Sequence, residues 1–225
     1  KKEWCIPPAK DAAFVCCMED ILDLYERPYD PDFPVVCIDE KLKPLLKEKR
    51  AQILPSPGHP AREDYEYDQT GSRNIFIHFE PLSGSCHVSV TERRTAKDWA
   101  EDMRHLADQE YPNAKRIIVV QDNLNTHKAA SFYQAFEPAE ARRLTQRFEF
   151  HNTPKHGSWL NMAEIGLSVL EKQCLCRRLG DGQVIEREVR AWEESHDHRL
   201  KVIDWRFRTA DARIKLKRLY PTIEA

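Results

Sequence analysis

Apolar and polar positions along this chain form short continuous runs, helical stripes and alternating stretches. Val35-Val36-Cys37-Ile38 and Ile117-Ile118-Val119-Val120 are continuous runs, apolar on both faces as a strand covered from each side requires. Each ends abruptly in acid, the first at Asp39-Glu40 and the second at Gln121-Asp122-Asn123. Phe14, Met18, Ile21 and Tyr25 recur at helical spacing and predict an amphipathic helix over 11–26. Thr95 with Asp98 three residues on resembles a capping box, and Trp99, Met103 and Leu106 continue it as a second helix that stops near Tyr111-Pro112. A third helix is expected over 126–136, with Ala129, Tyr133 and Phe136 turned inward. Leu160, Ala163, Leu167, Leu170 and Cys174 mark the stripe of a fourth, with Ser158 as its expected N-cap.

Alternation marks the remaining strands. Residues 74–80 (N-I-F-I-H-F-E) and 85–91 (S-C-H-V-S-V-T) flank Pro81-Leu82-Ser83-Gly84 and predict a β-hairpin, and 147–151 (R-F-E-F-H) predicts a short strand. Pro28, Pro31 and Pro34 forbid helix before the first strand, and the polar, Pro-rich residues 41–73 read as a long surface excursion. This order predicts an α/β fold: a five-stranded mixed sheet, three antiparallel strands continued by two parallel ones, flanked by helices. Residues 1–34 read as a leader and N-terminal helix, 35–180 as the sheet domain, and 181–225 as a helical basic appendage packed on it. The break falls at Leu179-Gly180-Asp181-Gly182, and Trp192, Trp205 and Phe207 are the expected packing anchors of the appendage.

Composition narrows the class. With 225 residues, 41% hydrophobic and 32% charged, the chain reads as an ordinary folded protein. No apolar run approaches the roughly 20 residues that span a bilayer, so no membrane partner is expected. The seven cysteines include no Cys-x-x-Cys pair; Cys16, Cys17, Cys37, Cys86, Cys174 and Cys176 sit in apolar patterns and read as reduced core residues of a cytoplasmic protein. The net charge of −2 hides an asymmetry, because residues 199–218 hold eight Lys or Arg against Asp204 and Asp211. Such a stretch suits an anionic partner with salt-sensitive affinity, or else is a solvated helix face.

The acids carry the chemistry. A carboxylate at the carboxyl end of a buried strand points into the crevice where α/β proteins bind ligands; alternatively, Asp122 and Asn123 form a turn or cap a helix. Neighbouring strands would bring Asp39 and Asp122 together, whereas Glu40 points to the opposite face. Glu164, four residues after Leu160, lies about 40° off the helix stripe, toward the sheet edge, or is a first-turn glutamate favoured by the helix dipole. Three gathered carboxylates oppose one another's ionisation unless a hard divalent cation joins them. Two Mg²⁺ or Mn²⁺ ions about 4 Å apart suit phosphodiester chemistry. No Ser-His-Asp arrangement, P-loop or dinucleotide glycine motif competes.

Residues 36–41 (V-C-I-D-E-K), 121–127 (Q-D-N-L-N-T-H) and 153–164 (T-P-K-H-G-S-W-L-N-M-A-E) resemble the three catalytic blocks of the IS630 family of transposases, in the IS630/Tc1/mariner superfamily of DDE/D enzymes. The resemblance runs from about Trp4 to the end, including 80–84 (E-P-L-S-G), 90–95 (V-T-E-R-R-T) and 210–216 (A-D-A-R-I-K-L). It implies an RNase H-like fold and metal-dependent cutting of transposon ends. Joining of the freed 3′-OH to target DNA follows, usually at TA, by a homodimer on DNA in the bacterial cytoplasm and nucleoid. Asp39, Asp122 and Glu164 match the triad that holds the two ions. Lys155, His156, Ser158, Asn123 and His127 lie beside it as expected DNA contacts; His127 alternatively supports Asp122, and Trp159 reads as a core anchor. Two features depart from the pattern: 42 positions separate Asp122 from Glu164, with residues 137–147 as the extra length, and only a short leader stands where an end-reading helix-turn-helix is usual. A silent DNA-binding or dimerisation module and an RNase H-like nuclease acting on RNA–DNA hybrids are the other readings.

Overall fold

The computed structural model describes residues 10–50, 53–60, 62, 65–124, 126–196 and 198–222; all but the last residue of the leader expected at 1–10 lies outside the described residues. In chain order the main elements are α1 (Ala12–Tyr25), β1 (Val35–Glu48), β2 (Tyr67–Phe79), β3 (Cys86–Thr91), α2 (Ala96–His105), β4 (Ile117–Gln121), α3 (Ala130–Ala135), α4 (Pro138–Arg147), β5 (Phe148–Asn152), α5 (Ala163–Leu170), α6 (Gly182–Ser195) and α7 (Thr209–Lys215). α2 and α5 each run on through a wider turn, Leu106–Glu110 and Glu171–Leu175.

The five strands form one sheet in the order β3-β2-β1-β4-β5. β1, β2 and β3 pair antiparallel, and β4 and β5 continue the sheet parallel to β1. This is the expected mixed sheet, and it is RNase H-like. The two apolar runs do not alternate because both faces of the sheet are covered. Cys37, Ile77 and Val120 pack on α1, α5 and α6, whereas Val36, Ile38, Phe76 and Val119 pack on α2, α3 and α4.

Three local expectations are corrected, and one helix was not anticipated. Residues 41–48 and 67–73 are not part of the excursion: β1 and β2 run on into them as a two-stranded ribbon, with a bulge between Leu45 and Leu46. Leu45 reaches the core, but the lysines and Pro44 around it obscure any alternation and read as loop. The third helix is shorter than expected and turns Phe132 inward, fully buried, while Tyr133 is 50% exposed. Burying Phe132 contributes about 1.5–3 kcal/mol, enough to set the rotation of so short a helix. Residues 137–147 include α4, which starts on Pro138 and buries only Ala141 and Leu144; Pro is favourable at a first helical position although it reads as a breaker. Cys37, Cys86 and Cys174 are buried as expected, but Cys16 and Cys176 are exposed.

The C-terminal residues dock along the β2–β3 hairpin. Leu200 donates its N–H to the Gly84 carbonyl (2.7 Å), Cys86 to His198 (2.7 Å) and Ile203 to Pro81 (2.8 Å). Gly84 has φ 76°, and a Cβ there would meet the Leu200 carbonyl oxygen at 2.3 Å, so glycine is required twice over. Trp192 is buried, and Trp205 stacks at a tilt 5.3 Å from Tyr25. Among the described residues no helix is long and apolar enough to cross a membrane.

Candidate active site

Strand register sets the first two acids. Cys37 pairs with Val120 across β1 and β4, so two residues further on Asp39 and Asp122 sit side by side. β4 ends at Gln121 while β1 continues with β2, which opens a crevice between them. Asp39 pairs with Ile77 and Glu40 with Phe76, placing these two acids on opposite faces as strand parity predicts. The Asp39 side belongs to α5, the helix bearing Glu164.

Glu164 is placed by Asn161 rather than by the expected N-cap. Ser158 is exposed in a single tight turn, Ser158–Leu160, and makes no capping bond. Asn161 is 3% exposed; its Oδ1 accepts from the Ala163 N–H (3.1 Å) and its Nδ2 donates to the Ile38 carbonyl (2.8 Å). One side chain therefore satisfies the first N–H of α5 and ties it to the peptide that precedes Asp39. Below it, the buried Tyr25 hydroxyl donates to the Leu160 carbonyl (2.6 Å).

Asp39, Glu40, Lys41, Glu164, Ser168 and Glu171 are among the walls of an open cleft of about 410 Å³. Burial pushes the Asp39 carboxyl up to about 7; the Glu40 N–H opposes this at 2.8 Å, and the charges of Glu164, Asp122 and Glu40 reinforce it. Asp39 thus feels the charge of both other acids. The three do not close on a single point: among the described residues, the groups whose ligand atoms all lie within 4.8 Å are found elsewhere. Acids flanking two ions would stand further apart than acids gripping one.

Asp122 has a partner of its own. His127, 5% exposed, brings Nδ1 to 2.7 Å from Asp122 Oδ1 and Nε2 to 3.8 Å from Glu40 Oε2, and its ring stacks 5.6 Å from Trp99. Burial alone would lower its pKa, but hydrogen bonds and charge from Asp122 and Glu40 raise it to about 9. The ring is therefore doubly protonated and donates to Asp122. Of the two roles open to it from the sequence, this burial and bond favour support of Asp122: His127 is an inward prop. Lys155, His156, Ser158 and Asn123 are exposed, with His156 at φ 65°, and Trp159 packs edge-on 5.9 Å from Phe207. The Glu40–His127–Trp99 support escaped the sequence, although the spacing of Asp122 to His127 was a signal for half of it.

No curated protein matches the chain in sequence. In fold it is similar to a crystal structure of the Mos1 strand transfer complex (TM-score 0.54, 15% identity, covering 88% of this chain and 59% of that one). It is also similar to the mariner Mos1 paired end complex with Mg (TM-score 0.50, 16% identity, covering 88% and 60%). The chain thus spans about three fifths of the length of those solved chains. The family described as DDE superfamily endonuclease matches residues 34–185, well over half of the chain, and takes in all three acids. With its RNase H-like sheet and that match, the chain belongs to the DDE superfamily endonucleases.

Proposed function

We propose that this chain is the catalytic domain of a transposase that cuts transposon ends and joins the freed 3′-OH to target DNA. The supporting observation is the delivery of Asp39 and Asp122 by neighbouring parallel strands to the same end of the sheet, where Glu164 of α5 shares a cleft with Asp39. The donor set fits hard divalent cations: all three groups offer carboxylate oxygens, and their mutual repulsion, felt at Asp39, is relieved by positive charge between them. Asp39, Asp122 and Glu164 would hold Mg²⁺ or Mn²⁺, two ions in this reading. When bound, they neutralise phosphodiester charge and activate the attacking oxygen.

The protein's own work is positioning. The Glu40 N–H fixes Asp39, His127 Nδ1 fixes Asp122, and Asn161 fixes Glu164 through α5. Lys155, His156, Ser158 and Asn123 lie on the exposed rim, where they would contact DNA phosphates or bases. Resemblance to the IS630 family extends the reading to a homodimer on DNA, TA target sites and work at the bacterial nucleoid.

The test is Mn²⁺-dependent nicking and strand transfer on duplex DNA bearing a transposon end, with an RNA–DNA hybrid as competitor. Asp39→Asn, Asp122→Asn and Glu164→Gln should each lower the rate about 1000-fold or more with the fold retained, several kcal/mol at 1.36 kcal/mol per decade. Full activity in any of the three would remove that residue from the site, and preference for the hybrid would move the chain to another nuclease class.

A further inference from the structure

A second group of ligating side chains lies at the far edge of the sheet, separated from β1 by β2. Glu193, near the end of α6, is 6% exposed, and its Oε1 meets His87 Nδ1 on β3 (2.7 Å), His198 Nδ1 (3.3 Å) and the Val88 N–H (3.1 Å). The ligand atoms of His87, Glu193 and His198 all lie within 4.8 Å of one another. These spacings resemble the roughly 3.3 Å between neighbouring ligands in a tetrahedral site with 2.0–2.1 Å bonds.

The backbone holds the third member in place. His198 has φ 54°, an uncommon conformation for a residue with a side chain. It is fixed from both sides, its N–H donating to the Glu193 carbonyl (3.1 Å) and its carbonyl accepting from the Cys86 N–H (2.7 Å). The His198 side chain is 61% exposed and His87 is 24% exposed, so an ion can enter from solvent. A cleft of about 470 Å³ borders His87 and Glu193 and leaves room for a water ligand.

A neighbouring combination, His87 with His105 and Glu110, is equally close in space but worse in direction. The rings of His87 and His105 are stacked at 4.6 Å and 23°, so their lone pairs run side by side. Glu110 Oε1 is already engaged by His78 Nδ1 at 2.6 Å.

We propose that His87, Glu193 and His198 form a binding site for a borderline divalent transition metal, Zn²⁺ by preference, distinct from the carboxylate site. Two imidazoles and one carboxylate favour Zn²⁺ over Mg²⁺, whereas an all-oxygen set favours the reverse. Bound there, the ion joins β3, α6 and the 198–203 segment, and so fastens the C-terminal residues to the sheet edge. Binding to the folded chain alone raises its stability with metal concentration.

The test uses Co²⁺ as a coloured probe and Zn²⁺ in thermal melts, on the full chain. One equivalent of Co²⁺ should give visible ligand-field bands, and Zn²⁺ should raise the melting temperature where equimolar Mg²⁺ does not. His198→Ala, a change at an exposed side chain, should lose both effects and weaken Zn²⁺ binding by more than about tenfold, since even outer-shell partners are worth that much. The Asp39→Asn, Glu164→Gln double variant should keep both effects. Absence of bands and of a melting shift in the wild type would overturn the proposal. So would bands that survive His198→Ala or vanish in the double variant.

Discussion

Asn161 is a small residue with a large share of the geometry, because both ends of its amide are used. Asn161→Ala frees the first N–H of α5 and leaves the Ile38 carbonyl without its buried donor, a combined loss of about 1–3 kcal/mol. The stability loss should come with a disproportionate fall in nicking, since Glu164 loses its fixed relation to Asp39. Urea unfolding and nicking rates on the same preparation measure both. His78 poses a different case. It is 3% exposed, with Nδ1 2.6 Å from Glu110 and Nε2 2.7 Å from Asp102. Burial opposes its charge, yet Asp102 and Glu110 raise its pKa well above 6.5. A raised histidine stabilises fully below its unfolded value near 6.5 and loses that contribution as pH climbs through the folded value. His78→Asn should therefore cost about 3–5 kcal/mol below neutrality, as for a buried pair stripped of one partner. The gap to wild type should narrow steadily in alkaline melts.

At the level of elements, the sequence was most legible where an apolar run met an acid. Asp39 and Asp122 stand out because a two-sided strand cannot absorb a charge, and Glu164 because it rides beside a clean helical stripe. The Thr95–Asp98 capping box is present as expected, since its bonds lie within four residues. What failed were features decided across the chain. The choice of Phe132 over Tyr133, the bond from Asn161 to Ile38 and the burial of His127 against Trp99 depend on neighbours distant in sequence. The His78–Asp102–Glu110 network was hidden for the same reason, its members lying on β2, on α2 and in the turn after α2. Gly84 offers an element-scale test. Gly84→Ala combines a φ of 76° with a Cβ 2.3 Å from the Leu200 carbonyl oxygen, so the hairpin or the docked segment must shift. The expected cost is about 1–3 kcal/mol or more, together with faster amide exchange at Leu200 and Cys86.

Across the whole molecule, the basic C-terminal stretch is less available to DNA than its composition suggests. Arg213 is spent on Glu19 (2.9 Å) and Arg206 on Asp204 (2.7 Å), and Lys215 lies 5.4 Å over the Phe207 ring. The salt dependence of duplex binding should thus fall well short of eight phosphate contacts, with a log–log slope shallower than about −7. Affinity titrations across ionic strength measure it. The docking of residues 198–203 against the hairpin has one more consequence. β3 ends the sheet, and a bare outer strand invites pairing with another chain. Here the outward N–H of Cys86 goes to His198 and that of Val88 to the Glu193 carboxylate. Cleavage of the chain just after α6 would strip part of that cover, leaving Cys86 a template for cross-β recruitment, so the tail serves as the sheet's safeguard against self-association.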